Sequence, residues 1–227
     1  MGDPEPRPGP EPAPAPKRSG SRARAAGIAV AAVLLALFLL QTWRTLSTRP
    51  TVVRQPARSA LEEFGVDRAR DPSAPAPAIE LAAVDGSRFS LASVRGQVVF
   101  VNFWATWCPP CREEMPSMLR LARDLEARYP GKFRMVAVSV DEDLAAVRAY
   151  FGAPPFSGLP KELTIAHDPD QAVTRAYYCT ARGSCPDLKF PETYIVDKAG
   201  RLVAYVVGPR DWDHPGARLF LEALLRS

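Results

Sequence analysis

Apolar and polar positions follow two different periods along this chain, and the changes of period mark its elements. Val98-Val99-Phe100-Val101-Asn102-Phe103 is a short, β-branched apolar run. Such a run predicts a central strand buried on both faces. Beyond it, Met115, Met118, Leu119, Ala122 and Leu125 recur at three- and four-residue spacing, the stripe of a helix with one buried face. Upstream, residues 79–84 and 87–91 flank Asp85-Gly86 and read as a hairpin with a two-residue turn. Downstream, residues 133–140 predict a second buried strand, with Asp141 and Asp143 as caps of a helix reaching Phe151. The prolines and glycines of 152–160 predict a loop, and Leu163–Ala166 a short strand. Asp168-Pro169-Asp170-Gln171 has the form of a helix start, with a capping Asp and Pro at the first helical position. Residues 193–197 and 202–207 predict a second hairpin. A last helix from about Pro215 is expected to bury Leu219, Phe220, Ala223 and Leu224. Strands alternating with helices in this order give an α/β sandwich around a mixed sheet.

The pattern differs before residue 76. Residues 1–24 are rich in Pro, Arg, Lys, Glu and Ala, with no large aliphatic side chain after Met1. They are expected to form a disordered tail. Residues 25–43 run without a charge and as a helix would span about 28 Å, close to the thickness of a bilayer's hydrocarbon core. Trp43 falls where an interfacial aromatic anchors a span. Leu39-Leu40-Gln41-Thr42-Trp43 offers no small-x-small cleavage site, which favours an uncleaved single-pass anchor over a removed signal peptide. Residues 44–75 read as a Pro-rich linker, with a possible short helix over 59–68, and residues 76–227 as one domain.

Charge changes this picture little. The formal net charge of +4 owes much to the flanks of the apolar run. Lys17, Arg18, Arg22 and Arg24 precede it, and Arg44, Arg49, Arg54 and Arg58 follow, so the flanking charges do not set its orientation. The basic cluster before an N-terminal apolar segment is signal-like, and four cysteines suit an oxidising compartment. Together they place the tail in the cytoplasm and the domain beyond the inner membrane, in a periplasm or outside the cell. No basic-aromatic patch or nucleic-acid motif accompanies the positive charge.

The cysteines carry the candidate chemistry. Cys108-Pro109-Pro110-Cys111 lies between the central strand and the striped helix. Cys108 then sits at a helix N-terminus, where backbone N–H groups and the helix dipole favour a thiolate. Such a thiolate attacks a disulfide, and Cys111 resolves the mixed disulfide. The competing reading joins this pair to Cys179 and Cys185 as a zinc site, but the second pair lacks the two-residue spacing that such sites use. Gly183 and Ser184 permit the turn that brings Cys179 and Cys185 together. That second disulfide is either a staple or a second redox pair. His167 and His214 read as ordinary loop residues, and no metal or cofactor is expected.

Three stretches, V-V-F-V-N-F-W-A-T-W-C-P-P-C-R-E-E at 98–114, F-P-E-T-Y-I-V-D at 190–197 and G-P-R-D-W at 208–212, resemble the membrane-anchored TlpA/ResA-like branch of the thioredoxin family. The resemblance covers roughly residues 76 to 227 and implies a thioredoxin-like fold with an N-terminal β-hairpin. It implies a catalytic Cys108/Cys111 pair, a cis peptide before Pro191, and a substrate-facing surface of Trp107, Pro109, Pro110, Phe190 and Pro191. Where many thioredoxins carry a buried Asp, this chain has Asn102, which cannot accept a proton. Glu114 matches the position of a Glu near the active site in cytochrome-maturation members, and is the implied base toward Cys111. The resemblance points to a protein disulfide reductase acting on exported proteins with cysteine pairs, such as apocytochrome c or copper-site proteins. Its electrons would come from a membrane thiol donor. Two alternatives remain. Peroxiredoxins share the fold and the D-G-S-x-F-S-L prelude, but Ala105 stands where they need Thr or Ser. The other is a zinc- or disulfide-stabilised binding module.

Overall fold

The computed structural model describes residues 34–42, 63–156, 158 and 163–227. The chain divides into two units, Met1–Val52 and Val53–Ser227. In the first, residues 34–42 form a helix on which Leu34, Leu35, Leu37, Phe38, Leu39 and Leu40 are exposed. Among the described residues no helix is long and apolar enough to cross a membrane. The tail 1–24 and the rest of the expected span, 25–33 and 43, lie outside the described residues, as does the linker between 44 and 62.

The second unit is built on one eight-stranded mixed sheet. Its elements are β1 (Asp67–Arg68), β2 (Glu80–Ala83), β3 (Arg88–Ser90), β4 (Val98–Trp104), α1 (Pro109–Arg128), β5 (Phe133–Ser139), α2 (Leu144–Gly152), β6 (Leu163–His167), α3 (Ala172–Arg182), β7 (Glu192–Val196), β8 (Leu202–Val207) and α4 (Pro215–Arg226). The spatial order is β1-β8-β7-β4-β5-β6-β2-β3. β4, β5 and β6 run parallel, and the other neighbours pair antiparallel. The expected hairpin forms between β2 and β3, and Gly86 supplies its positive φ of 91°.

β4 sits in the middle because every one of its side chains is buried. Val98, Phe100 and Trp104 face a core shared with Met115, Met118, Leu121 and Leu125 of α1, Phe151 of α2 and Leu221 of α4. Val99, Val101 and Phe103 face the other side, where Tyr177, Tyr178 and Ala181 of α3 cover them. A strand apolar on both faces thus demands a helix layer on each. The motif at its C-terminal end is thus carried by a fully buried strand.

Several local expectations are corrected. Packing begins before residue 76. Phe64 is buried against Trp212, the β1 residues pair with β8, and the Arg70 N–H donates to the Ala181 carbonyl. Of the possible helix over 59–68, residues 63 and 64 are helical and 67–68 are strand. α3 starts at Ala172, because Gln171 takes a left-handed turn at φ 58°. Asp168 still caps it from a distance, accepting the Thr174 N–H at 2.8 Å and hydroxyl at 2.6 Å. Asp143 caps α2, while Asp141 faces the active-site turn. In α4 the buried stripe is Gly216, Ala217, Leu221 and Leu225, and Leu219 and Ala223 are exposed. That helix is apolar around most of its girth, so period alone did not choose the face. Gly216 and Ala217 are buried at its start, and Glu222 is buried beside Arg128 and Arg226. His167 ends β6 with Nε2 at 2.7 Å from the Asp141 carbonyl, and His214 caps α4 through Nδ1.

Candidate active site

The turn between β4 and α1 is fixed before either cysteine is reached. The Asp141 carboxylate, at the end of β5, accepts the Thr106 N–H at 3.0 Å and its hydroxyl at 2.6 Å, and the Ser139 hydroxyl at 2.7 Å. Cys108 is the N-cap of α1, and its sulfur accepts the Cys111 N–H at 3.3 Å. Pro109 and Pro110 occupy the first helical positions, where no N–H is needed and φ is already helical. Cys108 and Cys111 form a disulfide with Cα atoms 5.3 Å apart. Cys108 shows 5% of its surface and Cys111 none. The attacking cysteine is nearly buried, though it is the more accessible of the two, as attack followed by resolution requires.

Two aromatic residues border the sulfurs. Trp107 is 62% exposed, and its ring meets Phe190 edge-on at 5.9 Å between centroids. The Phe190–Pro191 peptide is cis, as the resemblance implied, and the Pro191 carbonyl accepts the Gly208 N–H at 3.0 Å. Pro109 is exposed and Pro110 half-buried. Trp107, Phe190 and Pro109 thus present apolar surface near Cys108.

Beneath the pair lies a buried carboxyl. Glu114 is on the face of α1 that carries Cys111, one turn further on, and is 3% exposed, whereas Glu113 faces solvent. Glu114 Oε2 accepts the Arg210 N–H and the Trp212 indole N–H, both at 3.1 Å. Oε1 accepts from Asn102 Nδ2 at 2.9 Å, and the same Nδ2 donates to Thr193 Oγ1 at 3.0 Å. Burial pushes the Glu114 pKa up to about 7 against the opposing pull of these three donors. Asn102 Oδ1 is buried and has no hydrogen-bond partner among the described residues. A turn of the amide would present that oxygen to a protonated Oε1, so Asn102 can serve either charge state.

The structure brings the expected dithiol, Trp107, Phe190, Pro191 and Glu114 to one end of the sheet. Sequence reasoning gave no role to Arg210 and Trp212, although G-P-R-D-W was singled out, and it read Asp141 as a helix cap where the carboxylate instead holds the active-site turn. Trp212 packs against Phe100 and Phe64, and its backbone N–H donates to Ser117 Oγ at 3.1 Å. A Trp and an Arg after a strand are visible in sequence, but their shared carboxyl partner is nearly a hundred residues away. Cys179 and Cys185 are also bonded, which ties the end of α3 to the loop leading to Phe190.

The chain is similar to several known proteins. Residues 71–219 match the redoxin family. The chain is 33% identical over 136 residues to the thioredoxin-like protein YneN of Bacillus subtilis, covering 59% of this chain and 69% of that one. It is 31% identical over 134 residues to the thiol-disulfide oxidoreductase ResA of Bacillus thuringiensis, covering 59% and 68%. Among solved structures, a putative thiol:disulfide interchange protein DsbE from Chlorobium tepidum superposes with a TM-score of 0.56 at 26% identity, covering 68% of this chain and 98% of that one. With the dithiol at a strand-to-helix turn and a cis-proline loop beside it, the chain belongs to the redoxin family and is a thioredoxin-like thiol:disulfide oxidoreductase.

Proposed function

We propose that this protein is a membrane-anchored disulfide reductase, held by residues 25–43 with its catalytic domain on the far side of the inner membrane. Its substrates are exported proteins carrying cysteine pairs, apocytochrome c and copper-site proteins among them. The observation that carries the reading is Glu114, a buried carboxyl near neutral pKa one helical turn beyond a fully buried Cys111.

The reaction runs from the reduced enzyme. The Cys108 thiolate attacks one sulfur of the substrate disulfide, and the other leaves as a thiolate. Cys111 then gives its proton to the Glu114 carboxylate and attacks the Cys108 sulfur. The mixed disulfide breaks, the substrate's second sulfur leaves, and the Cys108–Cys111 bond forms. Two electrons have passed to the substrate, and a membrane dithiol restores them to the enzyme. Trp107 and Phe190 cover the apolar neighbours of the attacked cysteine, and the cis Phe190–Pro191 segment meets the incoming chain.

The test is Cys111→Ser in the full chain, incubated with a disulfide-bonded protein substrate. A mixed disulfide at Cys108, trapped and mapped by mass spectrometry, is expected. Wild-type turnover with no trapped species in this variant would contradict the mechanism. Cys108→Ser should turn over nothing.

A further inference from the structure

The disulfide between Cys179 and Cys185 plays no part in that reaction. Cys179 lies in the last turn of α3 and Cys185 in the following loop, six residues later. Cys185 is exposed and Cys179 half-buried, so an incoming thiolate meets the Cys185 sulfur first. The helix closes at Gly183, whose left-handed φ of 68° turns the chain back and whose N–H donates to the Cys179 carbonyl at 2.8 Å.

Between the two cysteines stands Arg182, directed inward. Its Nη2 is 2.6 Å from Glu192 Oε2, and its Nη1 donates to the Tyr194 hydroxyl at 3.0 Å. Tyr194 in turn donates to the same Glu192 oxygen at 2.6 Å. The guanidinium also lies over the rings of Tyr178 and Tyr205, at 5.1 and 4.6 Å. Glu192 is buried and directly follows Pro191. The segment carrying Phe190 and Pro191 is therefore held to one helix end twice. The Cys179–Cys185 bond holds its upstream side, and the Arg182–Glu192 pair holds its downstream side.

We propose that Cys179–Cys185 is a second redox site, and that its reduction by a protein dithiol releases the Phe190–Pro191 segment and weakens binding of the substrate polypeptide. One thiolate of the dithiol attacks Cys185 Sγ, the Cys179–Cys185 bond breaks, and Cys179 leaves as a thiolate that takes up a proton. The dithiol's second sulfur then displaces Cys185 from the mixed disulfide, and Cys185 is protonated in turn. Two electrons and two protons have moved to the loop, and the dithiol has become a disulfide. The reductant belongs to the same chemical class as the donor that regenerates Cys108 and Cys111. Arg182 is a positioning residue in this scheme, acting on substrate through Glu192 and Pro191. The inference rests on the reading of Cys108/Cys111 as a disulfide reductase that meets its substrate at Pro191.

Five versions of the full chain test it: wild type, Cys179→Ser/Cys185→Ser as the permanently opened loop, Arg182→Met, Arg182→Lys, and Arg182→Met in the serine background. A disulfide-bonded protein is the substrate, and each turnover starts from enzyme pulsed briefly with limiting dithiothreitol, so that alkylation and mass spectrometry find Cys108/Cys111 open and Cys179–Cys185 still closed in the wild type. The serine variant should raise KM by roughly three- to tenfold, the factor expected for one or two lost positioning contacts. The Cys108/Cys111 reduction potential should stay where it is. R182M should raise KM similarly and add little in the serine background, while R182K recovers part of the loss. An unchanged KM in the serine variant overturns the proposal and leaves the disulfide as a staple. So does a Cys179–Cys185 bond that stays closed under glutathione buffers reducing enough to open Cys108–Cys111 fully. If the serine variant does not fold, R182M alone carries the test, and an unchanged KM there overturns the proposal. A wild-type protein without disulfide reductase activity would instead sink the underlying reading.

Discussion

Replacing Glu114 by Gln removes a buried charge while keeping the shape of the side chain. A carboxyl that ionises near pH 7 instead of its ordinary 4.5 costs the folded state about 3 kcal/mol once fully ionised. The folded pKa is raised, so the neutral form is favoured by folding. Its stabilising contribution is complete below about pH 4.5 and is lost as pH rises through about 7. Gln keeps an oxygen for the Arg210 and Trp212 N–H groups, and its amide can donate to Asn102 Oδ1 once that amide turns. Urea unfolding of the oxidised protein at pH 5 and pH 8 reads the difference directly. Relative to wild type, E114Q should gain about 2.5 kcal/mol of stability between those pH values, because a smaller part of the cost is already present at pH 5. Cys111 would also lose its base. Resolution of a preformed Cys108 mixed disulfide should slow by roughly 100-fold at pH 7 and lose its inflection there. A stability difference that does not change from pH 5 to pH 8 would refute the claim that Glu114 is held near neutrality.

Other expectations follow from the packing around the site. Phe64→Ala, which empties the space against Trp212, should cost about 3 kcal/mol in unfolding free energy, although residue 64 lies ahead of the expected domain boundary. Trp107→Ala should leave stability within about 0.5 kcal/mol, because the ring is 62% exposed. It should raise KM for a protein substrate by about tenfold as an exposed aromatic anchor is lost. Cys179→Ser/Cys185→Ser opens a loop of six-residue separation and should lower stability by about 2 kcal/mol, read from the urea midpoint.

The central strand, the motif helix and both hairpins were legible because one local period dominates each of them. The faces of α1 were also correct, since Met115, Met118, Leu119, Ala122 and Leu125 are all buried. α4 shows where period fails. Apolar residues surround most of that helix, and the buried stripe runs through Gly216, Ala217, Leu221 and Leu225. The start of the domain was missed for another reason. Prolines around Asp71-Pro72 have linker composition, yet Phe64 and Ala69 are buried and β1 adds an edge strand beside β8. At the site, the dithiol and Glu114 were visible as a motif and a matched position. Their supports were not, because Asp141, Asn102, Arg210 and Trp212 act through contacts that close long loops. No local spacing records such contacts.

The most direct test of the account is the reduction potential of Cys108/Cys111 in the full chain, read by thiol alkylation and mass spectrometry across glutathione and dithiothreitol buffers. The account predicts a reversible two-electron couple near that of thioredoxin, about −270 mV. A value near −120 mV, that of a strong oxidant, or a pair that does not titrate reversibly, would contradict it.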